Sequence, residues 1–285
     1  MKMYAYDELK YKKEEKVKKD TTIEQTSEVT QNKTRNKIIL IIAVAVFAAL
    51  SLTALIFGAL NSVHNVYTKS QAKLVLIAGV IGLGSVALPF LLKWIFRLEI
   101  SLPIVLMWWF FVLAHGLGEA CELYYKIPLW DIALHLTSGI LQFITFYAIA
   151  RSYFSKKTVE NKLFLSLVFA IASSLALACL WEIFEFTIDS LFGTNMQKVI
   201  PDQFFNGGST SDNLSGLAGD IAEFYKTPEG YRYAVVDSMY DCLNCLAGTV
   251  LASIGMVVLT KFKPHAFERA FSVIPRKENV IESQD

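Results

Sequence analysis

The stretch LFLSLVFAIASSLALACLW, residues 163–181, decides the fold, and it is followed directly by EIFEFTID, residues 182–189. Its 19 residues carry no formal charge, which is close to the length that an α-helix needs to cross a bilayer. The acids that follow, Glu182, Glu185 and Asp189, are three and four residues apart, so a continuing helix would carry them on one face. The sequence therefore predicts a membrane span that extends past its apolar part as an amphipathic helix, with its acids turned toward other protein.

Five further runs of comparable length contain no Asp, Glu, Lys or Arg. The longest has 23 residues and the other four have 19 each. They are Ile38–Leu60, Leu74–Leu92, Ile100–Gly118, Ile132–Ala150 and Cys242–Thr260. Backbone that faces lipid has to satisfy its hydrogen bonds within helices. The predicted fold class is therefore all-α, a polytopic transmembrane helical bundle of about six spans.

The composition excludes a soluble globular protein. Hydrophobic residues make up 54% of the chain and charged residues 19%, whereas soluble domains carry about 25% charged residues. The formal net charge is +1, so no bulk electrostatic attraction favours nucleic acid as a partner. The four cysteines lie in or beside the uncharged runs, which is unlike the disulfide framework of a small secreted domain.

The distribution of Lys and Arg predicts the orientation in the membrane. Segments 1–37, 93–99, 151–162 and 261–285 together hold 21 of the 27 basic residues. Alternating spans place these four segments on the same side, and an excess of basic residues marks the cytoplasmic side. Both termini are therefore predicted to be cytoplasmic, in agreement with an even number of spans.

Four regions follow from these boundaries. Residues 1–37 are predicted to form a disordered cytoplasmic tail, because they are polar and mixed in charge. Residues 38–98 hold two N-terminal transmembrane helices. Residues 99–262 form a four-helix membrane core with a long outer loop, residues 191–235. Residues 263–285 form a second cytoplasmic tail.

Acidic and polar residues gather where four predicted spans reach the outer face. With the orientation above, the third and fifth spans end at this face and the fourth and sixth begin there. The polar residues recur at helical spacings of three or four, as in His115–Glu119–Glu122 and Asp237–Asp241–Asn244. The predicted ligand pocket consists of Glu119, Glu122, Asp131, His135, Glu182, Glu185, Asp189, Asp237, Asp241 and Asn244.

The pocket contains eight carboxylates and few nearby basic residues. Closely spaced carboxylates cannot all be ionised unless a cation lies among them, and otherwise some keep their protons. Carboxylate and imidazole ligands suit Mg²⁺, Mn²⁺ or Zn²⁺. The predicted metal ligands are Asp131, His135, Glu182, Glu185 and Asp241.

Three points stay open from the residues alone. Acids at span ends are ordinary because the membrane interface is wet, so they could be scattered and unrelated. His115 is either a ligand or a hydrogen-bonded histidine of the core. No catalytic residue is identified; Glu185 and His135 are the candidates, and no clear nucleophile accompanies them.

Three segments carry a resemblance to a known group of proteins. They are LWDIALHLTSG at 129–139, WEIFEF…D…GTNMQ within 181–197, and DSMYDCLNCLAG at 237–248. They resemble the YjdF-like group of bacterial membrane proteins and, more loosely, the VanZ-like family. The positions that match are Asp131, His135, Gly139, Glu182, Glu185, Gly193, Thr194, Gln197, Asp237, Asp241, Asn244 and Gly248.

The resemblance covers roughly residues 100–260, and this chain is longer than the related proteins between Gln197 and Asp237. VanZ-like members are associated with resistance to a glycopeptide antibiotic that acts on the outer surface of the cell envelope. The resemblance implies a protein of the bacterial plasma membrane with an outward-facing site.

Three functions fit these observations. The first is a multi-pass protein that binds a divalent cation together with the head group of an envelope lipid or of a lipid-linked envelope precursor. The second is a metal-dependent hydrolase or transferase that acts on lipid-linked phosphates, with Glu185 as general base. The third is a proton-coupled transporter, which is disfavoured because the spans carry few polar groups near their centres. Membrane lipids are partners in each case, and the sequence does not predict the oligomeric state.

Overall fold

The computed structural model describes residues 34–60, 69–95, 97–127, 129–155, 157–158, 160–197, 222–263, 267, 270–271 and 273–275. The chain divides into two compact units, Met1–Val46 and Phe47–Asp285. The first unit contains, among the described residues, the first part of one helix. The second unit contains the rest of that helix and all the other described elements.

Six helices in the described part of the chain are long and apolar enough to cross a membrane. This confirms the prediction of an all-α, multi-pass membrane protein with about six spans. The helices are α1 Thr34–Leu60, α2 Lys69–Ile95, α3 Leu102–Ala120, α5 Trp130–Ser155, α6 Lys162–Phe192 and α7 Pro228–Phe262, and a short helix, α4 Leu123–Lys126, lies between α3 and α5.

Helix α6 continues past the apolar run and ends at Phe192, as the acid spacing predicts. It stops because Gly193 adopts the left-handed conformation, with φ of 61°, and its N–H is bonded to the carbonyl of Asp189. A glycine accepts this conformation without steric cost. The acids of α6 therefore lie on regular helix.

Helix α7 begins well before the uncharged run that predicted it. Its first residue is Pro228, inside the stretch predicted as a loop, and the Thr227 side chain caps it by accepting a hydrogen bond from the N–H of Gly230 at 3.1 Å. Proline is well suited to a first helical position. Uncharged runs underestimate a helix that carries acids in its first turns, and Asp237 and Asp241 are such acids. Residues 198–221 of the predicted loop lie outside the described residues.

The two predicted tails differ from a plain polar tail where the structure describes them. Residues 1–33 lie outside the described residues, and α1 already begins at Thr34. Near the other end, β2 Val273–Pro275 pairs antiparallel with β1 Leu98–Ile100. This tail packs against the bundle because it carries apolar side chains. The sequence prediction considered only its charged residues and therefore missed this packing.

A hydrophobic core fills the bundle at the end away from the acids. Phe143 stacks on Tyr147 at 5.7 Å between ring centroids, and Phe267 meets Tyr147 edge-on at 5.1 Å. The cluster also contains Ile104, Ala148, Ala170, Met256 and Val273. The helical members lie early in α3 and α6 and in the later halves of α5 and α7, so the core occupies the opposite end from Asp131 and Glu185.

Helices α5 and α7 cross in close backbone contact. A Cβ on Gly139 would lie 2.0 Å from the carbonyl oxygen of Cys245, and a Cβ on Gly248 would lie 2.0 Å from that of Leu136. Only glycine permits this approach at both positions, as small residues do where membrane helices pack closely. The crossing fixes α5 against α7 within two turns of the acids they carry.

Candidate functional site

Asp131, His135 and Asp241 form a compact cluster at the start of α5 and in the first half of α7. The Nε2 atom of His135 lies 3.4 Å from Oδ1 of Asp131 and 3.6 Å from Oδ2 of Asp241. One ligand atom from each of the three residues lies within 4.8 Å of the others. The cluster therefore brings together three of the five predicted metal ligands.

Local geometry explains why these three side chains meet. Asp131 and His135 are one turn apart on α5, so they share a face. Asp241 lies on the facing side of α7, four residues before Cys245, whose carbonyl contacts Gly139. The glycine crossing thus sets the distance across which the two helices present their polar groups.

Glu185 and Glu182, the other two predicted ligands, flank the cluster from α6. Glu185 is only 6% exposed, and its Oε1 accepts a hydrogen bond of 2.7 Å from the indole N–H of Trp181. The Glu182 carboxyl group is hydrogen-bonded to the Ser238 side chain. Its Oε2 atom is buried, however, and has no hydrogen-bond partner within the described residues. A buried oxygen without a partner costs about 1–3 kcal/mol. The site therefore has acceptor capacity that the described side chains do not use.

A small polar cavity of about 30 Å³ lies at the cluster. A water molecule needs a cavity of about 10–15 Å³, so this cavity has room for an ion and little more. The residues that line it come from α2, α3, α4, α5, α6, α7 and the turn after α6: Leu74, His115, Glu119, Tyr124, Asp131, Glu185, Asn195, Met196 and Asp241.

Asn195 and Met196 close this cavity, and the sequence did not predict either of them. Both belong to the turn after α6, which folds back because Asp189 holds it. Oδ1 of Asp189 accepts hydrogen bonds from the Thr194 hydroxyl at 2.6 Å and the Met196 N–H at 2.8 Å, and Oδ2 accepts one from the Gln197 N–H at 2.9 Å. The only sequence signal was GTNMQ, which the resemblance had singled out without a physical reason.

Asp189, which the sequence predicts as a residue of the ligand pocket, uses both of its oxygens to hold this turn. Asp189 does not line the small cavity. From the sequence, a carboxylate that caps a loop and one that binds a ligand look the same when both lie at a helix end. Asp189 positions the turn that brings Asn195 and Met196 to the small cavity.

Glu122 is also placed differently from the prediction. Helix α3 ends at Ala120, and Glu122 adopts a left-handed conformation with φ of 58°, so His115, Glu119 and Glu122 do not form one helical stripe. The Glu122 side chain instead accepts a hydrogen bond of 2.8 Å from Gln71 and pairs with Lys126 at 3.1 Å. It ties the start of α2 to the turn between α3 and α4.

The hydrogen bond from Gln71 and the nearby Lys126 hold the pKa of Glu122 below its ordinary value, despite its partial burial. A lowered carboxyl pKa stabilises the fold above the ordinary carboxyl pKa, and this stabilisation is lost as the pH falls through the lowered value. We expect the melting temperature of the wild type to fall toward that of Glu122→Gln as the pH is lowered through this range. A gap between the two proteins that stays constant with pH would contradict the assignment.

Tyr124 and His115 form a pair that walls the cavity. Burial raises the pKa of Tyr124 well above its ordinary value, and the surrounding acids reinforce the shift. Tyr124 therefore keeps its proton, and its hydroxyl is hydrogen-bonded to Nδ1 of His115. The His115 ring also meets the Trp181 ring edge-on at 5.3 Å. These contacts favour the interpretation of His115 as a hydrogen-bonded wall residue, and no sequence pattern had indicated Tyr124.

A second and larger cavity, of about 380 Å³, lies beside the first. His115 and Tyr124 line both cavities, and His135 lines the larger one. Most of its other lining residues are apolar or aromatic: Ile81, Trp108, Phe111, Val112, Leu134, Ser138, Gln142, Leu177, Ala178, Leu180, Trp181 and Phe184. The site thus has a small acidic compartment and a larger apolar one.

The remaining predicted pocket residues differ in how close they lie to these compartments. Glu119 lines the small cavity. Asp237 lies one turn before Asp241 on α7 and acts electrostatically on Glu182 and Asp241, but it lines neither of the two cavities, and the same holds for Asn244. The structure thus brings Glu119, Asp131, His135, Glu185 and Asp241 together, with Glu182 adjoining.

A family described as "Predicted membrane protein (DUF2238)" matches residues 39–262, which include α2 to α7 and most of α1. No curated protein and no solved structure matches the chain.

Proposed function

The chain belongs to the DUF2238 family of predicted membrane proteins, and from this premise we propose that it is a membrane-embedded receptor for a divalent cation. Asp131, His135 and Asp241 bind the ion at the edge of the small cavity, which Asp131 and Asp241 line, and Glu185 and Glu182 supply further negative charge around it. The observation that carries the proposal is the convergence of three ligand atoms from two helices within 4.8 Å.

The distances suit direct ligation. Metal–ligand bonds to carboxylate and imidazole are about 2.0–2.2 Å, so two adjacent ligands lie about 3 Å apart and opposite ones about 4 Å. The separations of 3.4 and 3.6 Å to His135 fall between these values. Small side-chain movements would place all three ligands around one ion.

The charge around the cluster also favours a cation over a proton alone. A protonated His135 would bridge Asp131 and Asp241, but one imidazolium supplies a single positive charge. Five carboxyl groups lie close together: Asp131, Asp241, Glu182, Glu185 and Glu119. Among the described residues, one buried oxygen of Glu182 has no hydrogen-bond partner. A divalent ion compensates more of this charge. The mixed imidazole and carboxylate ligands favour Zn²⁺ or Mn²⁺ over Mg²⁺, which prefers oxygen ligands and retains its waters.

We place the site at the outer face of the bacterial plasma membrane, with both termini in the cytoplasm. The distribution of basic residues supports the orientation. The resemblance of residues 129–139, 181–197 and 237–248 to YjdF-like and, more loosely, VanZ-like proteins supports the bacterial location. Asp131, His135 and Asp241 are among the matching positions.

Metal analysis of the purified full-length chain tests the proposal. We expect the wild type to bind about one Zn²⁺ or Mn²⁺ ion per chain. Loss of an outer-shell partner of a metal ligand weakens affinity about 10–100-fold, and we expect Asp241→Asn to weaken it by at least as much. Asp237→Asn is the matched control, because it removes the same charge one turn earlier on the same helix. Equal affinities in the two variants, or a wild type that takes up no metal after stripping and reloading, would refute the proposal.

A specific observation supports metal-dependent hydrolysis of lipid-linked phosphates as a second candidate. Three protein ligands leave coordination positions open, as in catalytic metal sites, and Glu185 lines the same small cavity. His135 is a ligand in this arrangement, so Glu185 would be the general base. Phosphate release from a lipid-linked pyrophosphate, lost in Glu185→Gln with metal binding retained, would identify an enzyme. The aromatic core around Tyr147 and Phe267 fills the opposite end of the bundle, which disfavours a continuous transport path.

A further inference from the structure

We propose that the 380 Å³ cavity holds the hydrocarbon chain of a phosphorylated membrane lipid, whose phosphate is bound by the cation at Asp131, His135 and Asp241. The inference rests on the proposed function, because without the ion an anionic head group would face the carboxylates of Asp131, Glu185 and Asp241. It adds to that function the class of ligand and the surface that selects its apolar part.

The size and lining of the cavity suit such a chain. Ligand cavities commonly measure about 300–1,000 Å³, and this one measures about 380 Å³. Its polar side chains are largely engaged: Ser138 donates to the carbonyl of His135 at 2.7 Å, and Cys245 donates to Oε1 of Gln142 at 3.6 Å. Leucine, valine and aromatic side chains from α3, α5 and α6 form most of the remaining wall. A charged or strongly polar ligand would find few partners there.

The junction of the two cavities places the polar end of the ligand. His135 lines the large cavity, while its Nε2 atom faces Asp131 and Asp241. An ion bound by these residues therefore lies at one end of the apolar space. The small cavity, at about 30 Å³, has room for the ion but not for a head group as well. The head group must consequently stay at the junction, in contact with the ion.

Charge selects phosphate among head groups. An ion with three protein ligands has open coordination positions, which an oxyanion can fill. A cationic head group would compete with the metal for the same carboxylates. The two alternatives therefore differ in sign: metal should strengthen the binding of a phosphate amphiphile and weaken that of an ammonium amphiphile.

Quenching of tryptophan fluorescence provides the measurement, because Trp108 and Trp181 line the cavity and a bromine atom quenches only fluorophores near it. The probe is a single-chain alkyl phosphate with bromine on the chain, added to the full-length protein in an uncharged detergent. The comparison probe has the same chain and a trimethylammonium head. We expect saturable quenching by the phosphate that requires Zn²⁺ or Mn²⁺.

The key variant is Ala178→Phe, which fills the cavity, and the matched control is Ala176→Phe, on the exposed side of the same helix. We expect Ala178→Phe to weaken the phosphate probe at least about tenfold, the effect that one misfitting methylene can have in a hydrophobic pocket, with metal binding unchanged. Leu177→Phe, at a more accessible lining position, gives a second test if Ala178→Phe does not fold.

The outcomes separate the two proposals. Suppose that the protein binds metal normally. This inference is then wrong if quenching does not depend on metal, or if neither cavity-filling variant changes it, and the proposed cation receptor is unaffected. Tighter binding of the ammonium probe to the metal-free protein also overturns it. Absence of metal binding in the wild type overturns both proposals.

Discussion

Gly139→Ala is expected to destabilise the protein at or above the upper end of the range of about 1–3 kcal/mol that overpacking costs. The added methyl group would lie 2.0 Å from the carbonyl oxygen of Cys245 and 3.0 Å from the backbone nitrogen of Thr249. These are backbone atoms of α7, which cannot rotate away as a side chain could. The helices must therefore separate, and the cation site must open with them, because Asp131 and His135 lie on one helix and Asp241 on the other.

Gly255→Ala is the matched control for this prediction. Gly255 lies on α7, and a Cβ there would meet no heavy atom within 4 Å. Alanine also favours a helix by about 1 kcal/mol relative to glycine, so the control should be neutral or slightly stabilised. Thermal unfolding and metal affinity, measured on both variants in the same detergent, check the result. If Gly139→Ala has the same melting temperature as Gly255→Ala and binds metal with normal affinity, the close crossing of α5 and α7 is wrong.

The spans and the central cluster could be predicted because each depends on a local pattern. An uncharged run of sufficient length specifies a membrane helix whatever surrounds it. The spacing of Asp131 and His135 places them on one face, and the alternation of spans brings the start of α5 to the same end as the start of α7. No knowledge of tertiary contacts was needed for either step, and both were sufficient to bring Asp241 near His135.

The roles of Glu122 and Asp189 could not be predicted, because they depend on where helices end. One residue in the left-handed conformation, Glu122, ends the regular spacing after α3 and turns its own side chain toward Gln71. One glycine, Gly193, ends α6 and lets the chain fold back over Asp189. A carboxylate at a helix end serves equally well as a loop anchor or as a ligand, and only the backbone path after it decides which.

Tyr124, Asn195 and Phe267 illustrate a second limit. Each acts across an interface between elements that are far apart or irregular, and none belongs to a periodic pattern. Tyr124 reaches His115 through a short helix that no apolar run indicates, and Phe267 packs on Tyr147 from a segment that charge alone marked as a tail. Such contacts follow from tertiary packing, which sets the walls and closure of the site rather than its charged centre.

Asp189→Ala is expected to lower the free energy of unfolding by at least about 2 kcal/mol. Each hydrogen bond to a charged acceptor contributes about 1.5–3 kcal/mol, and the turn is partly exposed, so hydrogen bonds to water offset some of the loss. The substitution removes three bonds, from the Thr194 hydroxyl and from the N–H groups of Met196 and Gln197. Asn195 and Met196 would then no longer be held over the small cavity. We therefore expect the bound metal to dissociate faster, with a smaller loss of affinity than in Asp241→Asn.

Asp189→Asn distinguishes an anchor from a ligand. If its amide oxygen takes the place of Oδ1, the bonds from Thr194 and Met196 persist, while an NH₂ group faces the N–H of Gln197 in place of an acceptor. The stability and the rate of metal release should then fall between those of the wild type and Asp189→Ala. Ser190→Ala, at the exposed neighbour, is the control and should match the wild type. If Asp189→Ala instead abolished metal binding as completely as Asp241→Asn and left the melting temperature unchanged, Asp189 would be a ligand, and the turn it holds would have no part in closing the site.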